Sequence, residues 1–329
     1  MNKRIAYIFR HKLPQYHSIE ALFETISAEV AKTCEVEKIT LPKSGASISS
    51  LLSNLRSVQL SNNHIYHITG DVNYMALKLA GNAVLTVHDV QSALQGGALK
   101  RWLMKLLWFQ WPAKRVKLMT VISEFSQGEL AALVPGEAHK IRVIHNPVGS
   151  EFKPVAKDFN TLNPTVLCMG TKPNKNLEAV FNSVAGLPCT LHIVGKLTTV
   201  QQDLLHQLGI AYTNSVSLSR EAIVKAYADC DVLCFPSTYE GFGMPIIEAQ
   251  ATGRPVLTSN LGAMKEVAGS SACLVDPYDV GAIRAGLEQI IADTDYRAGL
   301  IEKGFENVKR FSLERIAAQY MDLYHEMTA

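Results

Sequence analysis

The sequence predicts an α/β protein made of two doubly wound parallel sheets. Three observations carry that expectation. Short apolar runs, such as residues 5–9, 83–87 and 165–169, alternate with helical segments, the pattern of a parallel sheet with crossover helices. A length of 329 residues suits two domains. Pro147, Gly149, Pro154 and Pro164 punctuate a stretch without periodicity, which sets a domain boundary near residue 150. The expected division is a first domain over 1–150, a second over 151–308 and a closing helical segment over 309–329.

Composition narrows the class. Charged residues make up 19% and hydrophobic residues 47%, enough apolar material for a large core. A net charge of +2 gives no general case for nucleic acid as a partner. The six cysteines contain no CxxC pair, and Cys168, Cys234 and Cys273 fall on expected buried strands. That usage suits a reducing compartment, so the expected location is the cytoplasm. The apolar run at 5–9 is too short for a signal peptide, and no apolar run is long enough to span a bilayer.

In the first half, residues 5–9 form the expected opening strand. A basic, aromatic loop follows at 10–17, then a helix from about Ser18. That loop contains no glycine; it faces an acceptor or is simply exposed surface. Further strands are expected at 36–40, 64–68, 83–87 and 116–122. His88 and Asp89 stand at the carboxyl end of the 83–87 strand, the edge where open α/β sheets bind ligands. Ser126 and Glu129 have the capping-box spacing and are expected to start a helix. Residues 141–145 close the domain.

The stretch 99–117 holds all three tryptophans, Trp102, Trp108 and Trp111, and six basic residues. No acid occurs between Asp89 and Glu124. Two readings fit: a cationic helix lying on an anionic membrane surface, or a core helix with a basic solvent face and its aromatics packed inside.

In the second half, residues 165–169 form the first strand, and Gly170 to Leu177 its turn and helix start. Strands are expected at 191–195, within 211–219, at 231–235, at 256–258 and at 272–275. Helices are expected at 222–229, from about 280, and at 313–327. Between Pro236 and Ala249 lies a glycine loop leading into a helix. Pro245 suits the first helical position and Gly253 a left-handed C-cap.

Chemistry gathers at the top of that helix. Free N–H groups and the positive dipole end favour an anion such as a diphosphate, and Gly241 and Gly243 allow close backbone approach. Glu240, in the loop, and Glu248, placed in the first helical turn, are eight residues apart. A carboxylate accepts two hydrogen bonds at once, which suits the vicinal hydroxyls of a sugar or ribose. An anion site flanked by two diol readers describes a nucleotide-sugar pocket.

The string EGFGMPIIEAQATGRPV, with its Glu-x7-Glu spacing, resembles the motif of family 4 retaining glycosyltransferases, which have the GT-B fold. The likeness covers most of the chain and is strongest from Gly170 to Asp276. It implies that Glu240 holds the donor sugar's hydroxyls and Glu248 the ribose, with Phe242 lining the same loop. TVHD resembles the family's strand-end histidine, which implies that His88 approaches the donor sugar near the reacting carbon. The segment beginning at Gly170 resembles the diphosphate loop, so Lys175 is expected to grip the phosphates. Some relatives have arginine after that glycine; here Thr171 stands there and Lys172 is the candidate substitute.

The expected reaction is retaining transfer of a glycosyl unit from a UDP- or GDP-sugar to a hydroxyl acceptor. The acceptor is a saccharide or lipid-linked saccharide of bacterial surface-polysaccharide synthesis, met at the inner face of the plasma membrane. No metal is expected: there is no DxD-type pair, and Asp229 to Asp231 fits a helix end meeting a buried strand. Competing readings are a GT-B sugar-nucleotide epimerase, a phosphorylase and a catalytically silent binding scaffold.

Overall fold

The computed structural model describes residues 4–11, 18–45, 47–79, 81–91 and 96–328. The chain divides into two compact units, Met1–Pro147 with Leu313–Ala329, and Val148–Ser312. Residues 12–17, most of the glycine-free loop, lie outside the described residues.

The first unit holds strands β1 (Arg4–Phe9), β2 (Val36–Thr40), β3 (His64–Ile68), β4 (Ala83–Val87), β5 (Leu118–Val121) and β6 (Ile141–Val143). They form one sheet in the order β2-β1-β3-β4-β5-β6, every pairing parallel. Its helices are α1 (Ser18–Val30), α2 (Ile48–Ser57), α3 (Ala98–Met104), α4 (Trp111–Arg115) and α5 (Glu124–Leu133), and the last helix, Leu313–Glu326, also belongs to it.

Side chains alternate along β1, and the two faces take different covers. Ala6 and Ile8 join the cluster with Tyr74, Phe109, Ala113 and Leu130. Ile5, Tyr7 and Phe9 join Phe23 and Ile26 of α1 and Ile316, Tyr320 and Tyr324 of the last helix. Parallel strands covered on both sides are apolar nearly throughout, which is why β1 and β4 were visible as runs, while the edge strand β2 carries Glu37 and Lys38.

One buried polar chain crosses that second face. The Thr120 and Thr86 hydroxyls are 2.6 Å apart, and Thr86 lies 2.7 Å from Nε2 of His67. Nδ1 of His67 lies 2.6 Å from the Tyr324 hydroxyl, which donates to the Tyr7 hydroxyl at 2.9 Å. With the ring proton on Nδ1, every link has one donor and one acceptor. Burial lowers the His67 pKa to about 3, so the ring stays neutral.

Three sequence expectations in this unit change. Helix α5 is capped by Ser123, whose hydroxyl accepts from the Ser126 amide at 3.0 Å; Ser126 itself lies inside the helix. Ser123 has the extended backbone that a cap requires, at φ −159 and ψ 159. Strand β5 is shorter than 116–122, because helix α4 runs to Arg115 and Val116 is its C-cap. The 99–117 stretch is α3 and α4 joined by a π-helical turn, Lys105–Gln110.

The second unit holds β7 (Thr165–Met169), α6 (Leu177–Val184), β8 (Thr190–Val194), α7 (Thr199–Gln207), β9 (Tyr212–Ser215), α8 (Arg220–Asp229) and β10 (Val232–Phe235). It continues with α9 (Met244–Ala251), β11 (Val256–Ser259), α10 (Gly262–Ala268), β12 (Cys273–Val275), α11 (Val280–Ala292) and α12 (Thr294–Val308). The sheet order is β12-β11-β10-β7-β8-β9, again all parallel. Buried Asp231 anchors its start, accepting from the Thr165 amide at 2.8 Å and pairing with Lys157.

Tyr324→Phe should cost about 1–3 kcal/mol by orphaning the His67 and Tyr7 ends of the buried chain. Urea unfolding measures it. The His67 pKa is depressed on folding, so the unfolded chain binds a proton that the folded one refuses. Stability should therefore drop as pH falls from the ordinary histidine range toward about 3. His67→Asn should flatten that slope.

Candidate functional site

In the second sheet, strand order reverses between β7 and β10, neighbours in space that are far apart in sequence. Open α/β sheets bind ligands outside the carboxyl ends of strands at such a reversal. The loops leaving β7 and β10 carry Lys175 and Glu240, and the fold brings them together. Nζ of Lys175 lies 2.6 Å from Oε1 of Glu240 and 4.5 Å from the centre of the Phe235 ring.

Each half of this pair is fixed by backbone geometry. Gly170 sits at φ +88, and a Cβ there would stand 2.9 Å from Cε of Lys175, so glycine is what lets the lysine fold back over the turn. A short 3-10 turn, Pro173–Lys175, ends at Asn176 in the left-handed region at φ 60. The Asn176 amide donates to the carbonyls of Pro236 at 3.2 Å and Pro277 at 2.6 Å, pinning the turn to the ends of β10 and β12. Asn174 donates to the Tyr239 carbonyl at 2.9 Å and to Oε1 of Glu240 at 3.1 Å. Lys172 is exposed at the start of the turn.

Glu248 keeps separate company. Helix α9 begins at Met244 after Gly243, so Pro245 is the second helical residue and not the first. Glu248 consequently sits in the second turn, not the first. Its side chain is only 7% exposed; the Tyr227 hydroxyl donates to Oε2 at 2.8 Å and Arg220 approaches Oε1 at 3.4 Å. Arg220 also pairs with Glu151 and stacks over the Phe152 ring. Burial lifts the Glu248 carboxyl above its ordinary range, while Tyr227 and Arg220 pull it back. Between the glutamates, Gly243 turns at φ +113 and Phe242 is buried edge-on against Phe311, at 5.6 Å between ring centres. Gly241 is half-buried. Gly253 follows α9 at φ +78.

His88 belongs to the first unit, at the carboxyl end of β4. Its Nε2 lies 2.8 Å from the Thr69 carbonyl, which can only accept, so Nε2 carries the proton in the neutral ring and Nδ1 keeps its lone pair. Burial depresses its pKa, against the Thr69 bond and nearby Asp71. Gly70 makes room for the ring: a Cβ there would meet Cδ2 at 2.6 Å. Arg10 pairs with Glu20 and Asp71 beside it.

Asn174, Tyr227 and Arg220 were not visible as site residues in the sequence. Each lies in an ordinary helical or turn context, and only the folded chain puts it on a glutamate. Among the described residues, no group of three or more His, Cys, Asp or Glu side chains is arranged to hold a metal ion.

Residues 150–307 match the family described as "Glycosyl transferases group 1". The O-antigen chain mannosyltransferase B of Escherichia coli is 29% identical over 231 residues, 63% of this chain and 60% of that protein. The MMP alpha-(1->4)-mannosyltransferase of Mycolicibacterium hassiacum is 30% identical over 259 residues, 70% of this chain and 62% of that protein. The chain thus spans about three fifths of these curated relatives, 60% and 62%. Among solved structures, sucrose-phosphate synthase from Thermosynechococcus elongatus superposes with a TM-score of 0.78 at 19% identity, over 99% of both chains. Anabaena Alr3699/HepE, in complex with UDP and glucose, gives 0.76 at 17% identity, over 98% of this chain and 100% of that one. The fold is GT-B, with two Rossmann-like units.

Since the Glu248 carboxyl is raised on folding, its ionised form is penalised in the native state. The penalty is absent below the ordinary carboxylate range and grows as pH rises through it. Glu248→Gln should therefore melt higher than wild type at pH 7, with the gain vanishing toward pH 4. Gly70→Ala should lower the melting temperature by displacing the His88 ring, and should shift the His88 imidazole signals in a proton–nitrogen NMR spectrum.

Proposed function

We propose that this chain is a retaining glycosyltransferase that moves a hexosyl unit from a nucleoside-diphosphate sugar to a saccharide hydroxyl. The acceptor is a saccharide or lipid-linked saccharide of bacterial surface-polysaccharide synthesis, met at the inner face of the plasma membrane. The observation that carries this reading is the contact of Lys175 with Glu240 at the strand-order reversal, inside the segment that matches group 1 glycosyl transferases. Both curated relatives are named mannosyltransferases, so a mannosyl donor is the first to try; one structural neighbour holds UDP and glucose, which keeps UDP-sugars beside GDP-sugars as donors.

Charge decides the order of roles. A departing nucleoside diphosphate gains negative charge as the glycosidic bond breaks. Lys175 is the cation placed to meet it, helped by Lys172 and by the amides around Gly243 at the start of α9. Once the diphosphate draws on Lys175, Glu240 keeps Asn174 as its anchor and turns its remaining lone pairs to the sugar hydroxyls. Glu248, held rigid by Tyr227 and Arg220, takes the ribose hydroxyls with the acceptor sites those donors leave free. His88 keeps Nδ1 as a free acceptor for a hydroxyl, its other nitrogen being committed to Thr69. The departing phosphate oxygen takes the acceptor proton and attack comes from the same face, so Glu240 positions the sugar and forms no bond to it. The positive charge that offsets the leaving group's negative charge comes from protein groups, and no divalent ion is required.

Proton NMR of the glycoside product should show the donor's anomeric configuration retained, and an inverted product would refute the stereochemical assignment. Lys175→Ala should lower kcat by roughly 10²- to 10³-fold, the scale of losing one charge-stabilising group. Activity should persist in EDTA.

A further inference from the structure

The first unit carries one surface that the donor chemistry does not use. From Lys38 to Ser123, both included, there are ten Lys and Arg but only two acids, Asp71 and Asp89, whereas the whole chain has 32 and 30. Asp71 is already paired with Arg10. The same segment exposes large apolar side chains: Ile48 (78%), Leu52 (46%) and Leu60 (60%) on and just after α2, and Leu99 (71%), Trp102 (59%) and Trp111 (44%) along α3 and α4.

These elements share one side of the sheet. Leu51 and Leu55 of α2, Tyr74 of the 3-10 turn Asn73–Leu77, Trp108 and Phe109 of the π-helical turn and Ala113 of α4 pack into a single cluster, opposite the face covered by α1 and the last helix. Asn54 of α2 donates to the Tyr74 hydroxyl at 2.8 Å, and the Tyr74 and Trp108 rings lie 5.7 Å apart. The 3-10 turn is therefore clamped between α2 on one flank and the π-helical turn on the other, and its own Leu77 is exposed.

The π-helical turn shapes the outer stripe. Leu99, Leu103, Leu107 and Trp111 recur every fourth residue. In an α-helix of 3.6 residues per turn, four-residue steps drift by about 40° each. The wider π-helical turn counters that drift and keeps the stripe on one side, while Phe109, Pro112 and Ala113 stay buried.

We propose that this face, built from α2, the 3-10 turn and the α3–α4 helix, seats the protein on an anionic lipid bilayer. Exposed Leu, Ile and Trp side chains enter the headgroup boundary while exposed basic side chains such as Lys100 and Arg101 meet anionic headgroups; Lys117 is turned to the Met327 carbonyl and takes no part. Contact is at the surface, since no helix among the described residues is long and apolar enough to cross a membrane. A second copy of the chain is a poor occupant, because a two-fold contact would set this cationic face against itself. Nucleic acid matches the charge but not the aliphatic stripe.

The chain contains its own probe: all three tryptophans lie on the α3–α4 helix. Their emission should shift to the blue with vesicles of phosphatidylcholine mixed with phosphatidylglycerol, and not with phosphatidylcholine alone, and raised salt should reverse the shift. Lys100→Ser with Arg101→Ser should weaken flotation with the mixed vesicles roughly 25-fold, at about five-fold per basic residue. Ile48→Ser with Leu52→Ser, remote from every tryptophan in sequence, should weaken it by about ten-fold or more. Melting temperature and nucleoside-diphosphate binding, read without vesicles, should stay unchanged in both variants, so a failed donor assignment and a failed lipid assignment give different results. No shift with either vesicle, equal binding to neutral vesicles, or a blue shift with RNA but not with lipid would overturn the proposal. An α2 variant that floats like wild type would overturn the two-helix face.

Discussion

The ion pair between Lys175 and Glu240 is the contact on which the candidate site depends. It joins loops that leave neighbouring strands β7 and β10 but lie 65 residues apart in sequence. Parallel topology makes this meeting necessary, because every loop at a carboxyl edge emerges on the same side of the sheet. Its supports are of two kinds: local backbone geometry, with a glycine where a Cβ cannot fit and a left-handed asparagine, and side-chain amides that tie the two loops together through backbone carbonyls distant in sequence. A lysine so held is satisfied before any ligand arrives. Under the proposed function, a diphosphate would compete with Glu240 for it, and phosphate occupancy would be linked to the freedom of that carboxylate.

Glu248 illustrates a different compromise. A carboxylate buried behind α8 is costly to ionise, and Tyr227 with Arg220 only partly offsets that cost. Such a group is poor for stability and good for rigid presentation of hydrogen-bond acceptors. The first unit uses buried polarity differently. The chain from Thr120 through His67 to Tyr7 is saturated along its length, and it fixes the last helix to the first sheet by complementary hydrogen bonds as well as by apolar packing.

Much of this was legible in the sequence because parallel strands buried on both faces are apolar nearly throughout. Strands at 64–68, 83–87 and 165–169 appear where they were expected, as does the half-exposed edge strand at 36–40, and two Rossmann-like units follow from their alternation with helices. Local capping was less legible. The hydroxyls at Ser123 and Ser126 both fit a helix start, and the choice depends on which backbone is extended. Pro245 and Glu248 moved by one register step for the same reason: α9 starts with Met244, directly after a glycine at φ +113. The partners of the two glutamates could not be read at all. Asn174, Tyr227 and Arg220 carry no spacing signal relative to Glu240 and Glu248, since the contacts are made across the sheet's crossover connections. In the 99–117 stretch, helical periodicity was visible, but the π-helical turn was not. That turn lets Phe109 pack inward while Trp102 and Trp111 remain exposed, a mixture that neither a purely buried nor a purely exposed helix describes.

The most direct test of the central claim is calorimetric titration of the wild-type chain and of Glu240→Gln with UDP and GDP, in the presence of EDTA. If Lys175 must leave Glu240 to grip a diphosphate, one nucleotide should bind wild type without metal, and the variant, whose amide holds the lysine less strongly, should bind the same nucleotide more tightly. Equal affinity for both proteins would place the diphosphate away from Lys175, and binding of neither nucleotide to either protein would contradict a donor site at this sheet edge.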